Sequence, residues 1–470
     1  MVPFTHTVRH SGSAMTRTEA LINEIRQRIT AGLLCSGERL PSVRRFATTM
    51  HVSPSTVVEA YERLAAEGVI RARRGSGFYV CGAHTAPLSL TESSQRQPEV
   101  DPFWVSRQSL DAAAGELKPG CGWLPADWMP QEALRKGLRQ LARSPDNTLT
   151  DYGSTRGSAT LRRLLLARFA QEGLAASMSQ IMLAGSGTQA LDLICRLLLR
   201  PGDTVVVDDP CYFNFQALLR AHQVNIVGVP FTPEGPDVAM FEQVLSTTRP
   251  RLYITNSALH NPTGGCLSAQ AAYRVLRAAT LYDTIIVEDD IFADFEPELS
   301  PRLAIPDGLE RVIRMGSFSK TLSASVRCGY IACREEWIEG LVDLQIATNF
   351  GGPSPLSSEL VAGVLAGGSY RKHLDEVIKR LDRARKEAIV RLSALGIVPW
   401  SVPRGGFYLW CRLPEGLDST VVARRCRQQG VVLAPGNVFS ISQTAGDFLR
   451  FNVAHLSDER VFHVLQQAMR

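Results

Sequence analysis

A chain of 470 residues, 45% hydrophobic and 21% charged, has the composition of a globular protein with a large core, and its length calls for roughly two or three domains. No apolar run approaches the roughly 18 residues of a membrane helix; Leu191 to Leu199 is interrupted by Asp192 and Arg196. The ten cysteines form no Cys-x-x-Cys pair, which speaks against a metal site and a disulfide framework. With no secretory pattern at the N-terminus, a cytoplasmic protein without a membrane partner is expected. The net charge of +5 is concentrated in residues 1–82, where eleven arginines face six glutamates; the rest of the chain is neutral. A basic module joined to a neutral body suggests a nucleic-acid-binding unit attached to something else.

Residues 1–15 have no periodicity and are expected to form a mobile arm. From Arg17, the spacing of Leu21, Ile22, Ile25 and Ile29 predicts a helix with one apolar stripe. Leu40-Pro41-Ser42 opens a second helix, with Pro41 placed near its first turn, Phe46 and Ala47 inward and Arg44 and Arg45 outward. Ser53 is a good N-cap and Pro54 a good first residue for a third helix, which Gly68 ends. Two short strands, Val69 to Arg73 and Phe78 to Val80, flank the tip Arg74-Gly75-Ser76-Gly77. Three helices and a basic two-stranded wing describe a winged helix over 16–82. Its third helix would offer Ser55 and Thr56 to base edges or phosphates, and its wing would lie along the backbone. Arg44, Arg45 and Arg74 suit phosphates, although a solvated basic face has the same composition.

The segments Gly37-Glu38-Arg39-Leu40-Pro41-Ser42, Val52-Ser53, Thr56-Val57, Ala60-Tyr61, Leu64, Glu67-Gly68 and Gly75-Ser76-Gly77 resemble the GntR family of bacterial regulators over nearly the whole module. The resemblance implies binding to a double-stranded DNA operator.

Residues 83–110 carry Thr, Ser, Gln and Pro with few apolar anchors, the composition of a linker. From 111 to 470, helical patterns (Leu161 to Phe169, Ala190 to Leu199) alternate with short apolar runs (Thr204 to Val207, Arg251 to Thr255, Thr284 to Glu288, Val312 to Met315). That alternation predicts an α/β domain around a mostly parallel sheet.

Ser317-Phe318-Ser319-Lys320 supplies an amine beside hydroxyls, with Arg327 seven residues on. An amine condenses with an aldehyde, and hydroxyls and a guanidinium suit a phosphate; pyridoxal phosphate carries both groups. Gly187 and Thr188, opening a helix, could bind an anion or simply cap. Tyr212 follows a strand and could stack on a flat ring or be an ordinary core tyrosine. Asn261 sits in an Asn-Pro turn, and Asp289 ends a strand, where an acid could hold a pyridine nitrogen protonated. Arg450 is a single charge in an apolar run and would suit a carboxylate.

In this order, these residues resemble the fold-type I pyridoxal-phosphate aminotransferases over 111–470. The resemblance implies that Lys320 links to the cofactor aldehyde, Asp289 pairs with the ring nitrogen, Asn261 holds the ring hydroxyl and Tyr212 stacks on the ring. It also implies that Gly187, Thr188, Ser317 and Arg327 bind the phosphate, Arg450 binds a substrate carboxylate and Tyr152 reaches the partner subunit's phosphate. A GntR-like winged helix joined to this fold resembles the MocR subfamily of transcriptional regulators. These are domain-swapped homodimers that sense a small amine, amino acid or vitamin form. One position departs from the enzymes: Phe292 stands where they have a tyrosine donating to the ring hydroxyl, which shifts the expectation from turnover toward sensing. A working aminotransferase that moves an amino group to a 2-oxo acid is the alternative.

Overall fold

Apolar residues at three- and four-residue spacing bury one face of each of the first three helices: α1 (Arg17–Thr30), α2 (Val43–Met50) and α3 (Pro54–Ala66). The computed structural model describes residues 16–30, 33–34, 37–73, 75–81, 102–113, 115–144 and 146–470. It divides the chain into two units, Met1–Gln97 and Pro98–Arg470. The expected N-terminal arm, Arg74 and residues 82–101 lie outside the described residues.

In the first unit, Leu21, Ile25, Phe46, Val57, Tyr61 and Leu64 form one core with Ile70 and Val80 of the wing. The wing pairs β1 (Ile70–Arg73) antiparallel to β2 (Gly77–Val80). Ser42 caps α2 and Ser53 caps α3, and His51 turns the chain between them at φ 52°. Pro41 therefore precedes the cap instead of entering the first turn. Its carbonyl accepts from the Tyr61 hydroxyl at 2.8 Å, which ties the turn to the core.

The second unit begins differently from the linker expected there: Pro102–Leu110 is a helix, α4, with Trp104 and Val105 buried among Phe213, Trp410 and Phe439. Two aromatic or branched residues one after the other in a polar stretch carry no helical period, so composition hides this helix. The main sheet follows the predicted alternation. Its strands are β3 (Ile181–Ala184), β4 (Thr204–Asp209), β5 (Asn225–Thr232), β6 (Gly235–Pro236), β7 (Leu252–Thr255), β8 (Ile285–Asp289), β9 (Val312–Ser317) and β10 (Gly329–Ala332). Their order is β3-β10-β9-β8-β7-β4-β5-β6. The run from β9 to β5 is parallel, and β10 is antiparallel to both of its neighbours. A smaller sheet orders β11 (Val398–Pro399), β12 (Tyr408–Arg412), β14 (Phe448–Asn452) and β13 (Ala434–Pro435). Among the described residues no helix is long and apolar enough to cross a membrane, and no group of side chains could hold a metal ion.

Strand alternation sorts the three acids at the end of β8. Glu288 turns one way and accepts the amides of Leu303 and Ala304 at 2.7 and 3.0 Å. Asp290 is buried and bonds Arg302 Nε at 2.7 Å and Arg314 Nε at 3.0 Å. Only Asp289 faces the cavity described below. Because Asp290→Ala leaves two buried guanidinium groups short of a counter-charge, it is expected to destabilise this unit by about 3–5 kcal/mol. Urea unfolding followed by circular dichroism checks this.

Candidate functional site

Two surfaces gather the predicted residues, one in each unit. On the first, the Ser53 hydroxyl accepts the Thr56 amide at 3.2 Å and lies 2.7 Å from the hydroxyls of both Ser55 and Thr56. Three hydroxyls thus cluster at the N-terminus of α3, with Ser55 exposed. Arg44 and Arg45 are exposed on α2. At the wing tip Gly75 takes φ +75°, a conformation that a side chain disfavours, and Ser76 closes the turn through its amide to the Arg73 carbonyl at 2.8 Å. Its hydroxyl lies 2.6 Å from that of Tyr79, whose ring carries the Arg73 guanidinium at 4.6 Å. Glu59 is turned away from this surface, bonded to Arg63 at 2.7 Å and to Thr18 of α1 at 3.3 Å.

The second surface is a cavity at the C-terminal ends of the parallel strands, where loops of an open α/β sheet converge. Its walls include Gly187, Thr188, Tyr212, Asn261, Asp289, Ser317, Lys320, Arg327 and Arg450, so every cofactor and substrate residue expected within one chain is brought together. Tyr152 is the exception: it is 80% exposed, outside the cavity and edge-on to Phe350 at 5.0 Å.

Lys320 Nζ donates to the Gly122 carbonyl at 2.6 Å. Burial, then the charge of Arg450, pushes this amine from the ordinary 10.5 down to about 8. Burial pushes the Asp289 carboxyl up to about 7, opposed chiefly by the Ile291 amide, which donates to its Oδ1 at 3.2 Å. Asn256, buried beneath, donates to the Asp289 carbonyl at 3.1 Å. Arg450 is fully buried: Nη1 donates to Asn261 Oδ1 at 2.9 Å and Nη2 to the Gly120 carbonyl at 2.7 Å, with the Tyr408 ring 4.3 Å away. Both terminal nitrogens are thus engaged from within, whereas buried Nε has no partner among the described residues.

The anion end is built by close packing. The helix Gly187–Leu198 starts at the cavity wall, capped by Ser186, whose hydroxyl accepts the Gln189 amide at 3.0 Å. A Cβ on Gly329 of β10 would sit 2.8 Å from the Gly316 carbonyl oxygen, 2.9 Å from the Ser186 carbonyl carbon and 3.1 Å from the Gly187 nitrogen. Gly329 therefore lets the strand meet the helix start, and Gly329→Ala is expected to cost about 1–3 kcal/mol by overpacking, measured by thermal unfolding. The Ser317 hydroxyl lies 2.9 Å from that of Ser319 and 3.2 Å from the Cys328 carbonyl, and Arg327 turns the chain at φ 50°. A hydroxyl-lined helix N-terminus beside an arginine fits a phosphate, and a buried amine beside a buried acid fits the aldehyde and ring nitrogen of one flat molecule.

Sequence reasoning missed Ser186, Gly122, Tyr408 and the residues of α4 that line this cavity, Val105, Ser106, Ser109 and Leu110. Ser186 adjoins a recognised segment and was within reach of the capping pattern. Tyr408 comes from the other sheet, with no local signal.

Residues 124–467 match the family model for aminotransferase class I and II, and residues 17–80 match that for bacterial regulatory proteins of the gntR family. The HTH-type transcriptional regulator YdfD of Bacillus subtilis is 27% identical over 458 residues, covering 93% of this chain and 92% of that protein. Aromatic-amino-acid aminotransferase 1 of Thermococcus litoralis is 28% identical over 357 residues, 72% of this chain and 84% of that one. LysN, an α-aminoadipate aminotransferase from Thermus thermophilus solved with N-(5'-phosphopyridoxyl)-L-leucine, aligns with a TM-score of 0.70 at 25% identity, covering 78% of this chain and 94% of its own. The chain belongs to the aminotransferase class I and II family and carries ahead of that domain a module of the bacterial gntR type.

Proposed function

We propose that this chain is a DNA-binding transcription regulator of the MocR type, which binds pyridoxal phosphate through Lys320 and senses a small amine, amino acid or vitamin form in the cytoplasm. The observation that carries the reading is the likeness to helix-turn-helix regulators along both units at once. The cavity adds its chemistry: one amine, one acid and one helix N-terminus facing a common space.

When bound, pyridoxal phosphate supplies an aldehyde that takes up amines and a ring that draws electrons from them. Lys320 would hold the aldehyde, its lowered pKa leaving much of the amine neutral near pH 8. Asp289 would keep a proton on the ring nitrogen, whose positive charge favours the carboxylate in return. The Asn261 carbonyl is taken by Arg450, which leaves its amide nitrogen to donate to the ring hydroxyl. Tyr212 would stack on the ring, and Gly187, Thr188, Ser317 and Arg327 would bind the phosphate. Arg450 Nε is left for an effector carboxylate. Tyr152, exposed on its own subunit, would complete the phosphate site of a second copy in a domain-swapped homodimer. In the first unit, Ser55 and Thr56 would meet base edges, and Arg44, Arg45, Arg74, Gly75 and Ser76 would meet phosphates.

Because only the neutral amine attacks an aldehyde, the initial rate of cofactor loading is expected to rise about tenfold per pH unit below pH 8 and to level off above it. An ordinary lysine would carry that rise on toward 10.5. Stopped-flow absorbance across pH 6–10 distinguishes the two.

Effector binding acts on DNA only by favouring one arrangement of the DNA modules. The test is to select a duplex from a random-sequence pool with the full chain and measure its affinity with and without pyridoxal phosphate and a panel of amines and amino acids. The reading predicts a change of about 5–150-fold with one effector class, seen only in the loaded protein. Failure to retain any duplex, or affinity indifferent to every ligand, contradicts it. The second reading, an aminotransferase, is favoured by Arg450 and by the enzyme relative, and it is opposed by Phe292.

A further inference from the structure

We infer that Tyr408 supplies the hydroxyl that Phe292 lacks, placing a hydrogen-bond donor at the lysine end of the cofactor from the opposite sheet. The inference rests on the cofactor reading above. Phe292 is buried at 3% exposure, and its ring meets that of Tyr408 edge-on at 5.5 Å. The two rings therefore share one wall of the cavity, and only the second carries a hydroxyl. Tyr408 opens β12, which pairs directly with β14, the strand bearing Arg450, so its ring is held by backbone register. A side chain at position 122 would begin 3.3 Å from the Tyr408 hydroxyl, 3.8 Å from Lys320 Nζ and 4.0 Å from Arg450 Nη2. Gly122 leaves that point open, and three polar groups from three parts of the chain converge on it. Among the described residues no hydrogen bond occupies the Tyr408 hydroxyl. Tyr212, the other phenol of the cavity, would stack on the ring, which would direct its hydroxyl along the ring plane.

The charged and titratable groups around Tyr408 are Arg450, Tyr212, Cys121 and Lys320, with Asp289 across the cavity. A donor at the cofactor's ring oxygen stabilises negative charge there and weakens that oxygen's pull on a proton at the Lys320 nitrogen. Losing the donor should raise the pH at which that proton leaves.

The experiment is a pH titration of the absorbance of the full chain loaded with pyridoxal phosphate, in native form, as Tyr408→Phe and as Tyr408→Phe with Phe292→Tyr. The expected result is a midpoint about one pH unit higher in Tyr408→Phe, a tenfold change in proton affinity. The double variant should return toward the native value. An unchanged midpoint in Tyr408→Phe overturns the inference, as does a shift that Phe292→Tyr leaves in place. A native protein that forms no lysine-linked band overturns the cofactor reading itself, a result distinct from either.

Discussion

Lys320→Ala is expected to abolish the covalent band of pyridoxal phosphate while leaving the fold and basal DNA affinity intact. The amine is buried, and burial holds its pKa down to about 8, so the native chain bears a cost for keeping it there that alanine removes. Its hydrogen bond to the Gly122 carbonyl faces a cavity that water can enter. Borohydride reduction followed by peptide mass analysis should find the cofactor on Lys320 in the native chain and on no peptide of the variant. Duplex affinity should stay within about twofold, whereas its response to effector should vanish. If that response survived in Lys320→Ala, the large unit would act without cofactor chemistry.

Replacing Arg44 and Arg45 together with alanine is expected to weaken binding of the selected duplex by about ten- to a hundredfold at low salt. Both side chains are exposed on α2, and among the described residues neither is held in an ion pair, so their loss spares the core of Phe46, Val57 and Tyr61. Each lost phosphate contact should flatten the plot of log affinity against log salt by about 0.9, or about 1.8 for the pair. Fluorescence anisotropy at several salt concentrations measures this slope. An unchanged slope would place these arginines away from the backbone.

The first unit was legible because its elements are short and punctuated: Ser53, Pro54 and Gly68 mark ends that periodicity alone would blur, whereas the Ser42 cap was hidden behind a proline that suits a first turn. In the second unit the parallel strands are buried runs between helices, so the sheet was legible while its order was not. No local signal says that β10 inserts antiparallel between β3 and β9. Site residues next to strand ends, such as Asp289 and Lys320, could be read from their segments. Tyr408 could not, because it reaches the cavity only through pairing of β12 with β14. The inward bonds of Arg450 to Asn261 and Gly120 were equally hidden, since they join positions far apart in the chain. Helix α4 was masked by its polar composition, although its buried Trp104 and Val105 anchor it beside the cavity.

The central claim, that the large unit senses rather than turns over, is tested most directly by one titration. The protein loaded with pyridoxal phosphate is titrated with amino acids and amines, and absorbance and 2-oxo acid product are followed in the same cuvette. A shifted band for one class of ligand without sustained product is the expected result. Sustained 2-oxo acid formation, with the cofactor cycling through its amine form, would contradict it and make the chain an aminotransferase.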